Sequence, residues 1–136
     1  MSTNSNVLAV AEQFSAAIAS LDADAVARLY TDDLVVQSNA SNDTQTKDQN
    51  IAMLRVIFGI EREHGYHDIE RIPTPDGFVQ IHTFKPIFSD GSSGGEARVC
   101  MVADVRDGKI CKLREFLDAS QIAAFWDRVA NASKPA

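Results

Sequence analysis

The chain has 136 residues, 45% of them hydrophobic and 24% charged. That is the balance of one globular domain, 1–136, whose own core supplies its stability without a structural metal or a disulfide framework. Thirteen Lys and Arg against nineteen Asp and Glu leave a net charge of −6 with the signs interspersed, which argues against nucleic acid as a partner. No stretch reaches membrane-spanning length, and residues 1–6 lack the basic and apolar regions of a secretory signal, so the expectation is a cytoplasmic protein with no membrane partner.

Val7, Val10, Phe14, Ala17, Ile18 and Leu21 recur at three- and four-residue spacing and predict a first amphipathic helix. Asp22 caps a short second helix carrying Val26, Leu29 and Tyr30, and Thr31-Asp32-Asp33 turns the chain into a strand over 34–37. The small polar residues 38–46 read as a loop. Thr46 and Gln49 form a capping box, and Ile51, Leu54, Ile57 and Phe58 continue a helical face until Gly65 offers a stop.

Beyond Gly65 the period changes to two. Strands are expected over 66–72 and 78–88, joined by the turn Pro73-Thr74-Pro75-Asp76-Gly77, with a flexible Gly-Ser connection over 89–95. A hairpin follows, its strands at about 96–106 and 109–117, with Asp107-Gly108 as a type I′ turn. Asp118 and Gln121 make a second capping-box pattern before a last helix bearing Ile122, Phe125, Trp126 and Val129, and the ends, 1–5 and 131–136, are expected to fray.

Helices feeding a curved antiparallel sheet imply an α+β domain with a pocket between the sheet and the long helix. Phe14, Ala23-Asp24, Leu29-Tyr30-Thr31-Asp32-Asp33, Asp107-Gly108-Lys109-Ile110 and Arg114-Glu115-Phe116-Leu117-Asp118 together resemble the nuclear transport factor 2-like superfamily. The resemblance is to its SnoaL-like branch, which includes polyketide cyclases, ketosteroid isomerases and limonene epoxide hydrolases. It spans almost the whole chain and implies a cystatin-like cone, a curved antiparallel sheet wrapped around a long helix. It does not choose among the activities the superfamily hosts.

A two-residue turn pairs Arg106 with Lys109, and counting outward sets Asp104 opposite Cys111, Val102 opposite Leu113 and Cys100 opposite Glu115. These share one face with Arg98 and Leu117, while Val99, Met101, Ala103, Val105, Ile110 and Phe116 form an apolar patch on the other. The resemblance implies that the Leu113, Glu115 and Leu117 face lines the pocket, and the patch then marks a homodimer interface through the sheet. Glu115 becomes a carboxyl in an apolar cavity with its pKa raised, unless Arg98 pairs with it on the sheet.

The resemblance also implies site residues. His82 and Phe84 stand where the epoxide hydrolases have an arginine and an aspartate, so that constellation is incomplete. Phe14, Ser38 and Val102 replace the three polar residues of the steroid isomerases, so that mechanism cannot run here. Asp118 matches an aspartate of the epoxide hydrolases and polyketide cyclases, and it can equally be a helix cap. His82, Asp118 and Glu115 are accordingly the candidate catalytic residues, set against structural roles for each. Tyr30, Ser38, Phe58, Phe84, Cys100, Val102, Asp104, Leu113, Leu117 and Trp126 are the candidate substrate-binding residues.

His64, His67 and Glu63 look like a ligand cluster but read better as solvent-exposed polar residues, so no metal is expected. Cys100 and Cys111 lie roughly 13 Å out of register in the predicted hairpin and should be free thiols. The expected function is cofactor-independent acid–base chemistry, an isomerase, cyclase, dehydratase or hydrolase acting on a small apolar or amphipathic molecule. The alternative is a non-catalytic binding or dimeric structural module of the same fold.

Overall fold

The computed structural model describes residues 3–134. Helix α1 (Thr3–Ala19) and short α2 (Ala23–Arg28) lead into β1 (Tyr30–Ser38), and α3 (Lys47–Ile60) follows. Then come β2 (Glu61–Glu63), β3 (Tyr66–Pro73), β4 (Gly77–Phe84), β5 (Ile87–Phe88) and the hairpin β6 (Ala97–Arg106) and β7 (Lys109–Leu117). A 3₁₀ turn, Ala119–Ile122, opens α4 (Ala123–Ala132). Helix α1 already runs from Thr3 and α4 continues through Ala132, so those stretches of the ends expected to fray are helical. Ser133 and Lys134 follow as a turn and a bend, and residues 1–2 and 135–136 lie outside those described. Among the described residues no helix is long and apolar enough to cross a membrane.

The local signals act as their chemistry demands. Asp22 accepts from the Ala25 amide at 3.0 Å, and Thr46 and Gln49 exchange side-chain bonds with each other's backbone amides at 2.9 and 3.2 Å. These satisfy the amides that start α2 and α3. The apolar stripes of α1 (Val10, Phe14, Ile18) and α3 (Ile51, Leu54, Ile57) are buried in the common core. Asp107 and Gly108 both have positive φ, 53° and 79°, as a type I′ turn requires.

The main sheet has the order β1-β7-β6-β4-β3 and is mixed, because β1 joins β7 in parallel while the other pairs are antiparallel. The first strand starts at Tyr30, earlier than the pattern suggests: Tyr30 leaves the helix and is captured beside Ile110, whose amide donates to the Leu29 carbonyl at 2.7 Å. The stretch expected to be one strand over 78–88 is two. Its second part, β5, pairs with β2 in a separate small sheet, and β2 ends α3 at Ile60 well before Gly65.

The hairpin departs from simple counting. Arg106 pairs with Lys109 and Val105 with Ile110, but Asp104 then pairs with Lys112, leaving Cys111 as an extra residue in β7. This is a β-bulge, and the Cys111 thiol lies 3.5 Å from the Asp104 carbonyl. From there outward Ala103 faces Leu113, Met101 faces Glu115 and Val99 faces Leu117.

The bulge moves β6 by one residue relative to β7, and a one-residue slip exchanges faces. Val99, Met101, Ala103 and Ile110 are therefore buried beneath the chain's own helices, at 5% exposure or less. Four of the six residues of the patch expected to be a dimer interface are thus core, while Val105 is half-buried and Phe116 stays exposed on the outer face. Cys100, Val102 and Asp104, expected in the pocket, are half-buried on the outer face. Arg98 is there too, donating to Thr83 at 2.8 Å, so it forms no ion pair with Glu115.

Candidate active site

A cavity of about 810 Å³ lies between the inner face of the sheet and helices α1, α3 and α4. Phe14, Ile18, Leu54, Ile57, Phe84 and Phe125 give it a largely apolar wall. Exposed Ala40, Ser41 and Asp43 from the β1–α3 loop, with Ser120, Ala123 and Asp127 from the last segment, line its open side. Asn39 ties that loop to β7, accepting from the Leu117 amide at 3.1 Å and donating to the Leu117 carbonyl at 2.9 Å.

Glu115 projects from β7 into this space, beside Ser38 across the parallel β1 ladder. Burial pushes its carboxyl pKa upward, and nearby His64 pulls the other way. The same carboxylate raises the phenol pKa values of Tyr30 and Tyr66, in each case second to burial itself. Tyr30 donates to Asn50 at 2.8 Å, and Asn50 in turn donates to Gln45 at 3.0 Å. This chain holds buried polar groups on the α3 side in hydrogen-bonded positions.

The second ionisable feature is a buried pair. Nδ1 of His64 lies 2.8 and 3.0 Å from the two carboxyl oxygens of Glu61, with His64 7% and Glu61 5% exposed. The imidazole packs against Phe58, Tyr66, Phe84 and Phe125 and forms part of the cavity wall. Burial raises the Glu61 pKa while His64 opposes the shift. When Glu61 is ionised it accepts from Nδ1–H, which leaves Nε2 of His64 with its lone pair, the arrangement of an oriented base.

His82 is 1% exposed and borders the same cavity. It lies on β4, separated from Glu115 on β7 by the intervening strand β6. Two strand spacings put the backbones roughly 10 Å apart, and the side-chain partner of His82 is Gln80 rather than Glu115. Burial first, then the charges of His64, Arg98 and Arg71, pushes the His82 pKa down to about 4. That shift leaves the ring neutral and only weakly basic at pH 7.

Of the residues expected at the site, His82, Glu115, Tyr30, Ser38, Phe84, Leu117 and Trp126 line the cavity. Phe58 and Leu113 are buried in the core and do not. Cys100, Val102 and Asp104 are turned away by the bulge. Asp118 is exposed and caps the 3₁₀ turn, its side chain accepting from the Ser120 amide at 3.0 Å and the Ser120 hydroxyl at 2.6 Å while the Gln121 amide donates to its backbone carbonyl at 3.1 Å.

His64, expected in solvent, is inside, and Glu61 and Tyr66 join it. The available signal was Gly65: at φ +74° its missing Cβ lets the chain pass the Lys85 carbonyl, which a Cβ would meet at 2.0 Å. That close approach folds His64 inward between β2 and β3. Among the described residues no group of three or more His, Cys, Asp or Glu is arranged to hold a metal ion.

The SnoaL-like domain model matches residues 11–113, most of the chain and most of the elements that enclose the cavity. The chain belongs to the SnoaL-like family. No curated protein matches it in sequence. Its fold is similar to that of PrhC from Penicillium brasilianum, at 18% identity and TM-score 0.82, covering 98% of this chain and 95% of that one. It is also similar to an LEH-like epoxide hydrolase from M. tuberculosis, at 19% identity and TM-score 0.74, covering 97% and 93%. An NTF2-like protein from Burkholderia xenovorans LB400 aligns at 15% identity and TM-score 0.72, covering 89% and 95%. The SnoaL-like chain therefore has the cone-shaped NTF2-like α+β fold. At these identities the likeness is one of fold, and the activity has to be argued from the cavity.

Proposed function

We propose that this SnoaL-like domain is a cofactor-independent acid–base catalyst acting on a small, largely apolar molecule that carries an oxygen function. The observation that carries the reading is that one largely apolar cavity is lined by both the Glu115 carboxyl and the Glu61-oriented imidazole of His64, near enough for the imidazole to oppose the rise in the carboxyl's pKa. A carboxyl raised by burial and a histidine held in one tautomer can take a proton from one atom of a bound molecule and return it to another. Isomerisation, cyclisation and dehydration all consist of such transfers. Hydrolysis would need a water as well, and the fold shared with an epoxide hydrolase keeps it within the class. The apolar wall supplies binding through area removed from water.

The test is solvent exchange into an enolisable ketone. In deuterated buffer the protein should speed loss of the C2 proton signals of 1-tetralone, followed by proton NMR. Glu115→Gln and His64→Gln should each slow it by about 10²–10⁴-fold. Saturable binding with no exchange above background would favour the binding-module alternative.

A second proposal concerns assembly. Phe116, Ile72 and Val35 are 45%, 47% and 39% exposed on strands of the sheet, and half-buried Val79, Ile81, Cys100 and Val102 lie on its outer face. A second copy of this chain covering that face would remove the apolar surface from water. Light scattering at micromolar concentration should give a dimer mass, and Phe116→Glu should give a monomer. A monomeric wild-type protein refutes it.

A further inference from the structure

The side chain of His82 is held by a chain of hydrogen bonds that decides which of its nitrogens carries the hydrogen. Arg71 Nε donates to Gln80 Oε1 at 3.0 Å, Ser15 donates to the same oxygen at 3.2 Å, and a second Arg71 nitrogen donates to Ser15 at 3.1 Å. A guanidinium has no acceptor, so the Gln80 atom facing it is the oxygen, and the amide cannot be turned over. The Gln80 NH₂ therefore faces His82 Nδ1, 3.0 Å away. Nδ1 must accept, and the ring hydrogen is on Nε2.

That Nε2–H has no partner among the described residues, although it is buried. A buried donor left unpaired costs about 1–3 kcal/mol. Here three residues from α1, β3 and β4 combine to keep the hydrogen on that nitrogen. The ring borders the cavity and is covered on one face by Tyr66, stacked at 3.9 Å. The Tyr66 hydroxyl is lightly held, its contact being with Met101 Sδ at 4.0 Å.

We propose that His82 is a neutral hydrogen-bond donor to the cavity's ligand, offering Nε2–H to a carbonyl or oxyanion oxygen of a molecule bound there. Ser15, Arg71 and Gln80 are its positioning residues. The inference deepens the acid–base reading by naming the substrate class, molecules whose oxygen accepts this bond, and it rests on the cavity being a ligand site. Glu115 and His64 would move the proton while His82 steadies the oxygen on which charge collects, a division of labour in which a neutral imidazole suffices. The depressed His82 pKa keeps the ring neutral at working pH.

The test uses two probes of one shape, 1-tetralone with an acceptor oxygen and tetralin without it. In wild-type protein, ring ¹H–¹⁵N correlation at pH 7 should show His82 as the Nε2–H tautomer, and its signal should move when 1-tetralone binds. Gln80→Glu places an acceptor against Nδ1 and should draw the hydrogen there. The ratio of tetralin Kd to tetralone Kd should fall about tenfold in Gln80→Glu and in His82→Leu, each confirmed as folded by thermal unfolding. An Nδ1–H or protonated ring in the wild type overturns the proposal. So does an unchanged ratio while tetralin still binds, an outcome that leaves the ligand-pocket reading standing. Binding of neither probe to the wild type overturns both.

Discussion

Met101 stands opposite Glu115 across the β6–β7 ladder, and this pairing sets the inner face of the hairpin. Met101 is fully buried, whereas its neighbour Cys100 is half-buried on the outer face. Truncating the inner residue leaves a cavity and truncating the outer one does not. Met101→Ala should cost about 2–5 kcal/mol in urea unfolding, and Cys100→Ala less than about 1 kcal/mol. The reverse order would mean that the hairpin runs without its bulge.

Glu115 makes a second, pH-dependent test. Its pKa in the folded protein lies above the unfolded value of 4.5, so burial opposes ionisation. The resulting penalty is absent at low pH and develops as pH rises through the folded pKa. Glu115→Gln should melt several degrees above the wild type at pH 8, with the gap closing toward pH 4. A gap that is constant with pH would show that the carboxyl is well solvated.

His82 works in the opposite direction. Its pKa falls from 6.5 to about 4 on folding, so between those values the unfolded chain binds more protons and stability falls as pH falls. The loss from pH 7 to pH 4 is about 3 kcal/mol, from 1.36 kcal/mol for each unit. Glu61 and Glu115 titrate in both proteins when the wild type is compared with His82→Leu, so their contributions largely cancel. The wild-type advantage over the variant should shrink by about 3 kcal/mol across that range in denaturant titrations. An unchanged difference would place the ring in a polar setting.

Asp118 serves the backbone. Its carboxylate caps the 3₁₀ turn through Ser120 and is exposed outside the cavity wall. Asp118→Ala should cost about 1 kcal/mol and Asp118→Asn far less. Asp118→Asn should also leave tetralone exchange near the wild-type rate. A hundredfold loss of exchange in that variant would return Asp118 to the catalytic set.

The features legible in the sequence are those decided within a few residues. The caps at Asp22 and Thr46 and the Asp107-Gly108 turn satisfy local amides or impose local φ values, and each forms where its residues predict. The apolar stripes of α1 and α3 likewise name the faces that become core, because a helix has few ways to bury a stripe. These signals, with the family resemblance, were enough for the α+β cone and for a cavity containing Glu115, Tyr30 and Trp126.

Tertiary structure decided the rest, through contacts that no local pattern encodes. One extra residue at Cys111 exchanged the faces of β6 relative to β7 and put Val99, Met101 and Ala103 of the expected interface in the core. The inward position of His64 depends on Gly65 passing the Lys85 carbonyl, and its pairing with Glu61 depends on β2 meeting β5. The His82 tautomer is set by Ser15 and Arg71, which are 67 and 11 residues away in sequence. Spacing tells which residues share a helix or strand face, but the hydrogen on an imidazole goes where the packed neighbours put an acceptor or a donor.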